Sequence, residues 1–238
     1  MTISKAAYKA KLSDSIGNYE DVIQILTESS DFHDSSLRLL LVGSLRNRIT
    51  SLRTSLRTIK SCKEKLDPSD LSKGLTSVIN EICEELSKLI MDESEDVIRL
   101  IDDNILMYCN DHDKAFCNKL KGDLMRYRAE ITTGSERSSN IKASVAFYED
   151  SLQLARSCTE KYPIDPLYLG TILNYSILKC DLLNNPEGAI TFINRALLAV
   201  KESNETLSPQ SEQLIKILND NISKWEQGSK NLFTSAFF

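Results

Sequence analysis

Apolar residues along this chain recur at spacings of three and four. Val145, Tyr148, Leu152 and Ala155 form one such series, and Ala189, Ile193, Ala196 and Val200 form another. That period sets them on one face of an α-helix. No run of alternating β-branched residues is sustained long enough to read as a strand. The prolines fall between the amphipathic segments. Asn185-Pro186-Glu187 reads as a cap, a proline at the first helical position and an acidic first turn, and Ser208-Pro209-Gln210 repeats the cap and the proline. Pro68 and the Pro163/Pro166 pair also precede helical patterns, and Thr132-Thr133-Gly134 reads as a stop. The pattern predicts nine helices, over 4–15, 18–29, 36–64, 75–107, 113–132, 138–160, 165–184, 186–203 and 208–227. Their connections are short, so neighbours should run antiparallel.

Composition narrows the class. With 238 residues, 41% hydrophobic and 26% charged, the chain has enough apolar side chains to build a packed core. Only 8 Gly and 5 Pro argue against a turn-rich all-β fold. A net charge of −5 disfavours a nucleic-acid partner, though it leaves room for a local basic patch. Apolar runs such as Leu39-Leu40-Leu41-Val42 break within a few residues, well short of the roughly 20 needed to cross a bilayer. No membrane insertion is expected. Met1-Thr2-Ile3-Ser4-Lys5 lacks the apolar stretch of a secretion signal, so a cytoplasmic protein with reduced thiols is expected. The six cysteines then read as small buried hydrophobes. His112 sits in Asn110-Asp111-His112-Asp113-Lys114, which reads as a polar loop, and no ligand cluster calls for a metal or cofactor.

Two segments carry candidate chemistry. In the first, Arg46, Arg53 and Arg57 are separated by seven and four residues, which puts three guanidinium groups on nearly one side of a helix. Leu45, Leu52, Leu56 and Ile59 fall on the adjacent face and should seat that helix on its neighbours. Taken alone, such a row reads more readily as a solvated face paired with carboxylates of the next helix than as an anion site. In the second, Lys119, Asp123, Arg126 and Glu130 lie at i, i+4, i+7 and i+11, with Tyr127 beside Arg126. Here a phenol and a further arginine join carboxylates that can hold arginines in position. Guanidinium suits a phosphate because its planar fork meets two oxygens at once and stays charged.

Over nearly its whole length the chain resembles the 14-3-3 proteins, a family of all-helical, usually dimeric adaptors that bind phosphoserine and phosphothreonine. The resemblance rests on six groups of residues in order. They are Lys9-Ala10-Lys11-Leu12 with Tyr19-Glu20-Asp21; Arg46-Asn47 with Arg53; Lys121-Gly122-Asp123 with Arg126-Tyr127; Pro166 with Gly170 through Ser176; Asn184-Asn185-Pro186; and Leu218 through Trp225. It implies nine antiparallel helices in a curved, cup-shaped array with a concave ligand groove, forming one domain over 1–230. Helices of 1–107 would carry a dimer-type surface, those of 113–227 would follow, and 231–238 would be a short tail.

The resemblance also implies roles. Arg46, Arg53, Arg126 and Tyr127 would grip the phosphate, with Arg46 where the family usually has Lys. Arg57, Asp123 and Glu130 would stand behind them. Asn174 and Asn221 would hydrogen-bond the ligand main chain. Lys119, Leu173, Ile177, Asp181, Leu214 and Ile217 would line the groove, Asp181 replacing Glu and Gln213 an apolar wall residue. Asp21 is kept at the family's subunit interface, but Asn18 replaces a basic residue and Glu85 falls near the position of a Lys, which implies a weakened, rearranged or heteromeric dimer. Thr234 or Ser235, if phosphorylated, would be a ligand for such a groove. Without the resemblance, the two similar apolar series, about forty residues apart, resemble a tetratricopeptide-like scaffold for unmodified peptides. An enzyme is disfavoured: the sequence has no Gly-rich phosphate loop and no nucleophile–base constellation.

Overall fold

The structure is a computed structural model that describes residues 4–30, 32–65, 73–158 and 161–228. Among these residues there are nine α-helices and no strand. The chain divides into two units, Met1–Cys109 and Asn110–Phe238.

The N-terminal unit holds α1 (Lys5–Ser15), α2 (Tyr19–Ser29), α3 (Ser35–Lys65) and α4 (Lys73–Leu100). Ser4 caps α1 by accepting from the Ala7 amide, and Asn18 caps α2 by accepting from that of Asp21. On α3, Leu41, Leu45 and Ile49 recur at i+4, all are buried, and the helix packs against α1, α2 and α4. The expected helix over 75–107 is α-helical only to Leu100. A π-helical turn, Ile101–Ile105, and a 3-10 turn, Leu106–Tyr108, complete it. The wider π turn brings residues four apart closer to alignment, which keeps Ile101 and Ile105 buried while Asp102, Asp103 and Asn104 face water. A three-and-four spacing cannot distinguish that turn from ordinary helix.

The C-terminal unit holds α5 (Asp111–Ile131), α6 (Gly134–Cys158), α7 (Pro166–Asp181), α8 (Pro186–Ser203) and α9 (Pro209–Glu226). The cap-and-proline signals hold. Asp165, Asn185 and Ser208 each accept backbone N–H bonds, and Pro166, Pro186 and Pro209 follow them. Helix α7 touches α5, α6, α8 and α9, so every residue from Leu167 to Leu178 is buried. Trp225 anchors α9 in the same core as Leu214 and Leu218.

Three expectations need correction. Asn110 caps α5, so His112 lies in its first turn rather than in a loop, with Nε2 3.9 Å from Asp165 Oδ2. Helix α6 starts at Gly134 instead of 138; Ser135, Glu136, Arg137 and Ser138 carry no apolar signal, so periodicity detects the helix a turn late. Of the cysteines only Cys117 and Cys180 are buried; Cys62 is exposed and the others are half-buried. Pro68 and the tail 231–238, with Thr234 and Ser235, lie outside the described residues.

Candidate functional site

Helix α5 turns charged side chains inward. At its centre Asp123 is 1% exposed and accepts three hydrogen bonds: from Tyr148 Oη of α6 at 2.5 Å, from Asn174 Nδ2 of α7 at 2.7 Å and from Lys119 Nζ at 3.0 Å. One turn on, Arg126 is equally buried. Its Nε donates to Tyr148 Oη at 3.2 Å and its Nη1 to Glu130 Oε1 at 3.2 Å. Its Nη2 lies 3.7 Å from Asp123 Oδ1 and makes no hydrogen bond. The Arg126 guanidinium also sits 4.8 Å from the centre of the Tyr127 ring.

The electrostatics follow from those contacts. Burial pushes the Asp123 carboxyl up, but Lys119, Arg126 and the Tyr148 hydroxyl outweigh it and hold the group below the usual carboxylate range. Burial and the adjacent Asp123 charge drive the Tyr148 phenol well above its ordinary value. Burial opposes the Arg126 charge, yet Tyr148, Tyr127, Glu130 and Asp123 more than compensate and keep it protonated. Near neutral pH Asp123 and Arg126 are therefore ionised and Tyr148 is neutral.

Two amides remain open. Asn174 uses its NH2 on Asp123, while its Oδ1 is buried without a partner. Asn221 of α9 is fully buried with neither Oδ1 nor Nδ2 bonded. The expected groove side chains are more deeply placed than a wall requires: Leu173, Ile177 and Leu214 are core residues, Ile217 and Asp181 are half-buried, and Gln213 is exposed. Lys119 also borders a cavity of about 250 Å³ shared with Phe116, Pro166 and Leu167.

The arginines of α3 belong to the N-terminal unit. Arg53 is buried, Arg46 half-buried and Arg57 exposed. Arg46 donates through Nε and Nη2 to Asn47 Oδ1 at 3.3 and 3.1 Å. Arg48 of α3 reaches across to α4, where its Nη2 meets Glu93 Oε1 at 2.7 Å. Sequence reasoning thus grouped Lys119, Asp123, Arg126 and Glu130 correctly on one face but missed Tyr148, which it counted only as an apolar position. The available signal was Gly122. A glycine inside a helix marks close approach, and a Cβ there would stand 2.7 Å from the Tyr148 ring.

Fold and site together define an all-helical protein with an ionised network sealed into its C-terminal half and hydrogen-bonding atoms left uncommitted beside it. The sequence profile of the 14-3-3 protein family matches residues 9–226. The 14-3-3 protein theta of Gallus gallus is 29% identical over 229 residues, covering 93% of this chain and 91% of its own length. The beta/alpha protein of Mus musculus is 26% identical over 233 residues, with 94% and 93% covered. The crystal structure of a 14-3-3 protein from Cryptosporidium parvum matches with a TM-score of 0.84 and 57% identity, covering 92% of this chain and all (100%) of that one. The chain belongs to the 14-3-3 family. Membership supports a phosphopeptide-binding adaptor role in general, and adaptors rather than enzymes are what the family comprises. Among the described residues no group of His, Cys, Asp and Glu is placed to hold a metal, and no helix is long and apolar enough to cross a membrane.

Proposed function

We propose that this protein is a cytoplasmic adaptor whose binding depends on phosphorylation of a serine or threonine in its partner. Arg126 and Tyr127 of α5 supply donors for the phosphate; Asn174 and Asn221 hold the ligand main chain extended. The observation that carries this reading is the set of buried polar atoms without a hydrogen-bond partner among the described residues: Arg126 Nη2, Asn174 Oδ1 and both amide atoms of Asn221. A buried group left unsatisfied costs about 1–3 kcal/mol, and each of these fits one part of a phosphopeptide. A phosphate oxygen accepts from Nη2, a ligand N–H donates to Asn174 Oδ1, and a ligand peptide group pairs with the Asn221 amide. Phosphoserine brings close to two negative charges and three acceptor oxygens, which unmodified serine lacks, so selectivity rests on charge more than on contact area.

Calorimetric titration with one phosphoserine peptide and its unphosphorylated twin tests the proposal. The phosphorylated form should bind at least tenfold more tightly, and Arg126→Ala should erase most of that difference. Equal affinity would favour the tetratricopeptide-like scaffold reading instead.

Self-association through the N-terminal unit is supported by exposed apolar stripes. Tyr8 and Leu12 of α1 and Ile16 at its C-terminal cap recur at i+4 and are 60%, 52% and 78% exposed, and Val78, Ile82 and Leu89 stand out from α4. We propose a dimer built on these faces and weakened by Glu85, which is exposed and carries the same charge as Asp21.

A further inference from the structure

The ring of Tyr148 is held on several sides. It stacks on Tyr175 of α7, with ring centres 5.5 Å apart and planes 25° from parallel, and its other side is bounded by the bare backbone of Gly122. Ser144, one turn earlier on α6, donates to the Gly122 carbonyl at 2.7 Å and locks the two helices at that approach. Tyr175 is itself tied by its hydroxyl to Glu149 at 2.9 Å. A ring fixed this way leaves its hydroxyl no freedom of position. That hydroxyl does two things at once: it donates to Asp123 and accepts from Arg126 Nε.

We propose that Tyr148 is the positioning residue of the ligand site, a clamp that fixes Arg126 through Nε and Asn174 through their shared partner Asp123. The inference rests on the phosphopeptide-binding reading above. An arginine has two edges; with Nε committed to Tyr148 and Nη1 to Glu130, the guanidinium can turn no further, and Nη2 is the group left to meet a phosphate. The same hydroxyl keeps Asp123 facing Asn174, so that the amide presents its Oδ1 rather than its NH2 to a ligand. One phenol thereby aligns a phosphate contact and a main-chain contact carried on different helices. Pre-set donors lose less rotamer freedom on binding, which raises affinity without any new contact to the ligand.

The test uses the full chain, the phosphoserine peptide and two hydroxyl deletions. Tyr148→Phe should weaken phosphopeptide binding about tenfold, measured well below its melting temperature, so that only folded protein is read. Tyr168→Phe removes a hydroxyl from the same core, away from the cluster, and should stay within twofold of the unaltered chain. A Tyr148→Phe protein that binds within twofold overturns the positioning role while leaving the phosphopeptide reading in place. An unaltered chain that fails to distinguish the phosphorylated peptide from its twin overturns both. Should Tyr148→Phe fail to fold, the unaltered protein still decides by nitrogen-15 NMR. The Arg126 Nε proton should exchange slowly with solvent before any ligand is added, and rapid exchange there overturns the proposal.

Discussion

Asp123 is surrounded by donors on three helices, and nothing in its neighbourhood can replace it. Lys119, Tyr148 and Asn174 all direct N–H or O–H groups at its two oxygens, and Arg126 stands 3.7 Å away. Replacing one member of a buried ion pair leaves the other charge stranded, which costs about 3–5 kcal/mol. Asp123→Asn should destabilise the protein by that order in urea unfolding at neutral pH. The acid limb of stability should change as well. Because the folded carboxyl titrates below its unfolded value near 3.8, its contribution is complete above that value and is lost as pH falls through the lower, folded one. Asp123→Asn should accordingly lose less stability than the unaltered chain between pH 7 and pH 3.

At the level of the helices, local capping decides where each begins. Asp165 serves two amides, those of Leu167 and Tyr168 at 2.8 and 3.3 Å, at the entrance to the most buried helix of the C-terminal unit. Asp165→Ala should cost about 0.5–2 kcal/mol in thermal or denaturant unfolding. The cap-and-proline pairs at Asn185-Pro186 and Ser208-Pro209 were legible because their chemistry is local, and apolar spacing located every helix between them. What the sequence hid was non-local. The start of α6 at Gly134 is set by polar residues with no hydrophobic signature, and the π turn at Ile101–Ile105 by the need to keep two isoleucines inward. The same limit applies to the site. Lys119, Asp123, Arg126 and Glu130 share one helix and could be grouped from spacing, whereas Tyr148 and Asn174 reach Asp123 from 25 and 51 residues away. Only packing brings them together.

For the molecule as a whole, the exposed stripes on α1 and α4 set the expectation for assembly. Apolar area of this kind favours association, and like charges facing one another across it oppose it. Asn18, which the resemblance expected to be basic, instead spends its side chain on the cap of α2. Restoring a positive charge at the other position should therefore have the larger effect. Glu85→Lys should tighten self-association several-fold in sedimentation experiments and lose that gain in high salt. An unchanged sedimentation profile would remove Asp21 and Glu85 from the interface.

Asn221 sits buried within α9 with an amide that bonds to nothing among the described residues. A leucine of similar volume would suit that location better in an empty molecule, and a search for heat-resistant variants would be drawn to it. On the proposed reading, such a variant would gain robustness by filling the position that meets the ligand main chain. By that reading the most stable form of this fold and its working form would be different sequences.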